Sequence, residues 1–104
     1  MADVKLLFIA RVPPEGVADF VAYESSVLAL LPAHGGSLEQ RFRSCDGCLE
    51  VHVLRFPSAD ALASYRSDPR RSALAPALER SGATTELHPL GESGSADTAA
   101  EPMP

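Results

Sequence analysis

Glu24 is the residue of this 104-residue chain whose position solubility alone explains least. Val17, Phe20, Val21, Leu28 and Leu31 make the apolar stripe of a helix, and Glu24 falls between Val21 and Leu28. At about 100° per residue it sits near the middle of that stripe, aimed at whatever the helix packs on. A carboxylate placed there either finds a partner or has its pKa raised by desolvation. A raised carboxyl beside a cavity works as general base or acid near neutral pH. A structural ion pair or a hydrogen bond to Tyr65 would explain the same placement without chemistry. Tyr23 and Tyr65 are the only tyrosines, one on each of two predicted helices. Tyr65 shares a face with Leu62, so its hydroxyl points inward and seeks a partner.

A second polar set comes from a predicted hairpin. Arg41, Arg43, Glu50 and His52 share one face of it with Glu39, while Phe42, Leu49, Val51 and Val53 share the other. Arginine suits a carboxylate ligand and histidine suits proton transfer. The same charges also serve as cross-strand and cross-subunit ion pairs. His88 and Glu86 lie on one face of the last predicted strand. His34 precedes Gly35-Gly36 at a helix end, where the helix dipole favours a cation. Glu24, Tyr65 and His52 are therefore the candidate catalytic residues, and His34, Arg41, Tyr23 and His88 the candidate ligand contacts. Cys45 and Cys48 form a CxxC across a turn, with neither a following helix to activate a thiol nor a second ligand pair for zinc. No metal and no organic cofactor is implied.

The elements that must position these groups follow from patterning. Val4–Val12 is apolar on both alternations and reads as a central strand, ended by Pro13-Pro14. A helix follows from about Glu15 to Leu31, stopped by Pro32-Ala33-His34-Gly35-Gly36. Ser37–Ser44 and Cys48–Phe56 alternate around Asp46-Gly47, a two-residue hairpin signal that sets Arg43 against Glu50, Phe42 against Val51 and Arg41 against His52. Ser58 caps a helix over Ala59–Ser67, Asp68-Pro69 breaks it, and a further helical stretch over Arg70–Arg80 closes at Gly82. Ala83–Leu90 is a final strand, its Pro89 suited to an edge. The order β-α-β-β-α-β with right-handed crossovers is an α+β, ferredoxin-like arrangement: a four-stranded antiparallel sheet with the helices on one face. Residues 1–90 make one domain, and residues 91–104, nearly without apolar content, an acidic tail expected to be disordered.

Composition narrows the partners. The formal charge is −5, from 9 basic and 14 acidic residues, and leaving out Glu92, Asp97 and Glu101 brings the body to −2. Such a body does not favour nucleic-acid phosphates or anionic membranes, and aromatic residues are not interleaved with basic ones for base stacking. No apolar run approaches the ~20 residues of a membrane span. The N-terminal segment shows no signal-peptide cleavage site and there are two cysteines, so a reduced, cytoplasmic protein is expected. The bare face of an open sheet, carrying Leu7 and Ile9, calls for a second subunit, and a two-fold homodimer is the economical cover.

Leu49–Pro76, running through Phe56-Pro57-Ser58, Tyr65 and Ser67-Asp68-Pro69, resembles the core of the DUF1330 family. Phe20, Tyr23-Glu24, Leu31 and His34-Gly35-Gly36 are similar to its first helix and exit turn, so the resemblance spans about residues 4–90. It implies the dimeric α/β-barrel superfamily, which also holds antibiotic-biosynthesis monooxygenases, haem-degrading monooxygenases, muconolactone isomerase-like enzymes and polyketide cyclases. The chain has no tryptophan, so it lacks the Asn-Trp-His set of the haem-degrading branch. The expected function is a small cofactor-independent enzyme acting on a hydrophobic or aromatic metabolite by proton transfer. Glu24 would be the base, and Tyr65 or His52 would steady the developing oxyanion. The alternative is a non-catalytic homodimer that binds a small ligand or a protein.

Overall fold

The computed structural model describes residues 3–91, so the expected disordered tail lies, beyond Gly91, outside the described residues. β1 (Val4–Arg11) is central as its two-sided apolar pattern requires, pairing antiparallel with β3 (Leu49–Phe56) and with β4 (Thr84–Leu90). β2 (Ser37–Arg43) pairs with β3 at the edge, giving the sheet order β2-β3-β1-β4. The predicted first helix is divided: a 3₁₀ turn at Pro14–Gly16, α1 over Val17–Leu28, and a second 3₁₀ turn at Leu31–His34. Pro14 and Pro32, each able to start a helical turn but not to continue one, sit at those two junctions. By length and composition the 21-residue stretch Pro14–His34 is also long and apolar enough to cross a membrane, although no unbroken apolar run marks it in the sequence. Its Phe20, Tyr23, Val27 and Leu31 are buried in the core of this fold. α2 (Ala59–Arg66) begins where Ser58 Oγ accepts the Ala61 N–H at 3.0 Å. After the Asp68-Pro69 break come α3 (Pro69–Ser72) and α4 (Ala75–Ser81).

The hairpin register is as the Asp-Gly pattern predicts, but the turn is wider. Ser44 N–H donates to the Leu49 carbonyl at 2.9 Å, leaving a four-residue loop, and Gly47 N–H closes it onto the Ser44 carbonyl at 2.9 Å. Gly47 takes φ 78°, the left-handed conformation that glycine alone adopts without strain. The register also shifts between Leu38 and Gln40. This bulge separates Glu39 from the arginine face on which alternation would put it, and pairs it with Arg55 at 2.8 Å and Lys5 at 3.3 Å.

The larger correction concerns which face the helices cover. Had they covered the apolar face of the hairpin, the polar set would have pointed between subunits. Instead Glu50 and His52 are both 1% exposed and share the helix side with Leu54 and Phe56. The large Leu6, Leu54 and Phe56 have the same strand parity as Glu50 and His52, and burying them takes the two polar residues along. The burial is tolerable because both Glu50 and His52 find partners there. Leu7, Ile9, Val51 and Val53 are left half-buried on the far side, and Phe42 beside them is 60% exposed.

Candidate functional site

The site forms where α1 and α2 bridge the sheet. α1 lowers Glu24 toward β3, and β3 raises Glu50 and His52 toward α1. Glu50 is the anchor of the group. Its Oε1 accepts from Arg41 Nε at 2.7 Å, its Oε2 from Arg43 Nε at 2.6 Å, and His52 Nε2 lies 3.0 Å from Oε1. Burial alone would raise its pKa, but hydrogen bonds from Arg43, Arg41 and His52 outweigh that and hold it at about 2. An ionised carboxylate only accepts, so His52 must carry its proton on Nε2, which leaves Nδ1 unprotonated in the neutral ring. Burial keeps His52 neutral, lowering its pKa against the pull of Glu50.

Glu24 is 1% exposed, and its Oε1 has no hydrogen-bond partner. His52 Nε2 lies 3.7 Å from it. Desolvation first, and then the negative charge of Glu50, push its pKa up to about 7, against the pull of Arg41 and Arg43. The pKa values of two carboxylates beside one imidazole are thus driven apart, one group charged down to about pH 2 and one poised near neutrality. Replacing both guanidinium groups, Arg41→Met with Arg43→Met, is expected to cost about 1–3 kcal/mol of stability at neutral pH, measured by chemical denaturation. Because the Glu50 pKa falls from 4.5 to about 2 on folding, its stabilisation is present above 4.5 and disappears as pH drops toward 2. The double variant should lose less on acidification over that window.

Glu24 and His52 open onto a cavity of about 190 Å³ between the helices and the sheet, walled by Leu6, Phe8, Val27, Leu54 and Phe56. Tyr23 and Tyr65 line it as well. The Tyr65 hydroxyl donates to the Val27 carbonyl at 3.3 Å, not to Glu24. Burial raises both phenols, against the positive charge of Arg71. Tyr23, Glu24, His52 and Tyr65 therefore meet in one place, with Arg41 behind Glu50. His34 stands outside the cavity, with Nε2 2.7 Å from Asp68 Oδ2 and Nδ1 3.0 Å from Ser64 Oγ, tying the chain before β2 to α2. Asp68, which also caps α3, is held well below the usual carboxylate range by Arg70 and His34. His88 sits on the opposite face of the sheet from His52, half-exposed and 3.0 Å from Glu86. The Cys48 thiol is raised by partial desolvation and by nearby Asp46 and Glu15, which leaves it a poor nucleophile at neutral pH.

The motif reading passed over Arg71, whose Cζ lies 4.6 Å above the Tyr65 ring at the edge of the cavity. The one hint of it was the Pro69 break, which turns the chain back toward the helix it has just left. Solved structures share this architecture. Rv0793 from Mycobacterium tuberculosis superposes with a TM-score of 0.72 at 17% identity, over 91% of this chain and 99% of its own. SnoaB from Streptomyces nogalater, a cofactor-independent oxygenase, gives 0.66 at 18% identity over 92% and 98%. A candidate antibiotic biosynthesis monooxygenase from Caulobacter crescentus gives 0.69 at 19% identity over 86% and 91%. The fold is ferredoxin-like, and it is theirs. No protein-family model and no curated protein sequence matches the chain.

Proposed function

We propose that this protein is a small enzyme that moves a proton on a hydrophobic or aromatic metabolite, needing neither metal nor organic cofactor, in the manner of an isomerase, a cyclase or a monooxygenase. One observation carries the reading: Glu24, buried and with one carboxylate oxygen unpartnered, forms part of the wall of a cavity whose lining is half apolar and half polar. The step shared by those reactions is removal of a proton from an enolisable carbon or an electron-rich hydroxyl. Glu24 Oε1 takes that proton, and the negative charge left on the substrate lies in a cavity bordered by Arg71 and the Tyr65 phenol. Glu50 keeps His52 in one tautomer, and burial together with the charge of Glu50 holds Glu24 near neutrality, so the base needs no metal to act at neutral pH. The oxygenase activity of SnoaB supports the monooxygenase branch. Phe56-Pro57-Ser58 and His34-Gly35-Gly36 support a place beside DUF1330 in the dimeric α/β-barrel superfamily. The direct test is Glu24→Gln, which fills the same space without a base. Turnover should fall by about 100-fold or more, and an unimpaired rate would end the proposal.

On this reading the protein works in the cytoplasm as a homodimer, with no nucleic-acid or membrane partner. The uncovered face with Leu7, Ile9, Phe42, Val51 and Val53 is the surface a second copy would bury. Light scattering at micromolar concentration should return twice the 11.0 kDa chain mass, and Val51→Glu should return the monomer. A native monomer would remove the dimer from the proposal.

A further inference from the structure

Among the described residues two buried side-chain atoms have no hydrogen-bond partner, Glu24 Oε1 and Arg71 Nε. They are opposite in kind: an acceptor once Glu24 is ionised, and an obligate donor. Both residues line the same cavity. A buried polar group left unmet is costly, and one ligand bearing a donor and an acceptor would satisfy the two together. Arg71 is held in place for this. Its guanidinium lies over the Tyr65 ring, and Nη1 donates to the Arg66 carbonyl at 3.3 Å. Arg66, itself exposed, also borders the cavity, as does the acidic Glu86. Volume sets the size of that ligand. An apolar cavity of about 150 Å³ accepts one benzene ring, and drug-sized ligands occupy about 300–1,000 Å³. At about 190 Å³ this cavity has room for one ring and small substituents.

Building on the reading of Glu24 given above, we propose that the cavity binds a single-ring hydroxylated aromatic carboxylate, its hydroxyl donating to Glu24 and its carboxylate accepting from Arg71. The apolar walls take the ring, and the two orphaned atoms take its two polar ends.

The probes are the three hydroxybenzoate isomers, phenol and benzoate as single-handle controls, and 1,8-dihydroxyanthraquinone as a three-ring control, each titrated calorimetrically into the full-length protein. At least one hydroxybenzoate should bind about ten-fold more tightly than both phenol and benzoate. Arg71→Met should erase that advantage while leaving phenol affinity unchanged. Arg71→Lys keeps the charge without the Nε donor and should fall between, which preserves the test if the methionine variant folds poorly by circular dichroism. The inference is overturned if no hydroxybenzoate binds, if only the three-ring compound binds, if the single-handle controls bind equally well, or if neither Arg71 variant changes hydroxybenzoate affinity. Glu24-dependent turnover is measured apart from these equilibria, so a failure here with turnover intact removes the ligand class and leaves the proton-transfer proposal standing.

Discussion

Glu24→Leu is expected to be more stable than the native protein at about pH 8, by on the order of 2–3 kcal/mol, although the Glu24→Gln change beside it removes the activity. The native carboxyl has a pKa of about 7 in the folded chain and 4.5 outside it. Between those values the folded state holds a proton that the unfolded state has released, so raising the pH favours unfolding. The destabilisation is absent below 4.5, grows through the window, and is complete above about 7. Leucine is close in volume, needs no partner, and faces the same apolar walls, so the pH-dependent loss disappears with it. In a domain of this size that corresponds to a rise of roughly 10–20 °C in Tm. Melting curves from about pH 4 to about pH 8 should show the native protein losing stability over the window and the leucine variant staying level. Rate should follow the opposite course, kcat/KM climbing with pH through about 7 as Glu24 sheds its proton. A leucine variant less stable than native at every pH would mean that Glu24 has a partner in solution, and the base assignment would fail with it.

Gly16→Ala is expected to cost about 3 kcal/mol or more, a large effect for one added methyl group. A Cβ at Gly16 would lie 1.8 Å from the Ser81 carbonyl oxygen and 2.7 Å from its carbon. Both obstacles are backbone, which cannot rotate away as a side chain does. Here the 3₁₀ turn at Pro14–Gly16 abuts the end of α4, and Ser81 is 1% exposed. An alanine must push α4 away from α1, opening a seam through the helical layer. Urea denaturation should move to markedly lower midpoint with the slope retained. A loss under about 1 kcal/mol would mean that this junction yields more readily than its geometry implies.

Most of the fold can be read from the chain because its signals are local. The double alternation of Val4–Val12, the Asp-Gly turn, the Ser58 cap and the Asp68-Pro69 break each mark an element where one stands. The covered face of the sheet is another matter. Alternation sorts β3 into two sets, Glu50-His52-Leu54-Phe56 and Leu49-Val51-Val53-Arg55, and both are amphipathic. The choice between them rests on Leu6 and Phe8 across β1 and on the arginines that satisfy Glu50 from β2, contacts far apart in sequence. Glu24 is conspicuous as a carboxylate in an apolar stripe. Its dependence on Glu50 is invisible until α1 and β3 are packed together, and Arg71 becomes visible only once the break at Pro69 has bent the chain. The bulge at Glu39 escapes for a simpler reason, since no glycine or proline announces it.

The floor of the cavity and the uncovered outer surface are carried on the same two strands, in alternate residues: Phe8 and His52 above, Leu7, Ile9, Val51 and Val53 below. This arrangement makes the gene unequally tolerant of length change. Losing the codon for Val53 in β3 would put the two parts of the strand out of step, turning either Glu50 and His52 or Leu54 and Phe56 outward and damaging cavity and surface in one event, whereas a codon gained in the 45–48 loop would leave both faces in step. Relatives of this protein should therefore differ in length at their loops and keep a constant count of residues through β1 and β3.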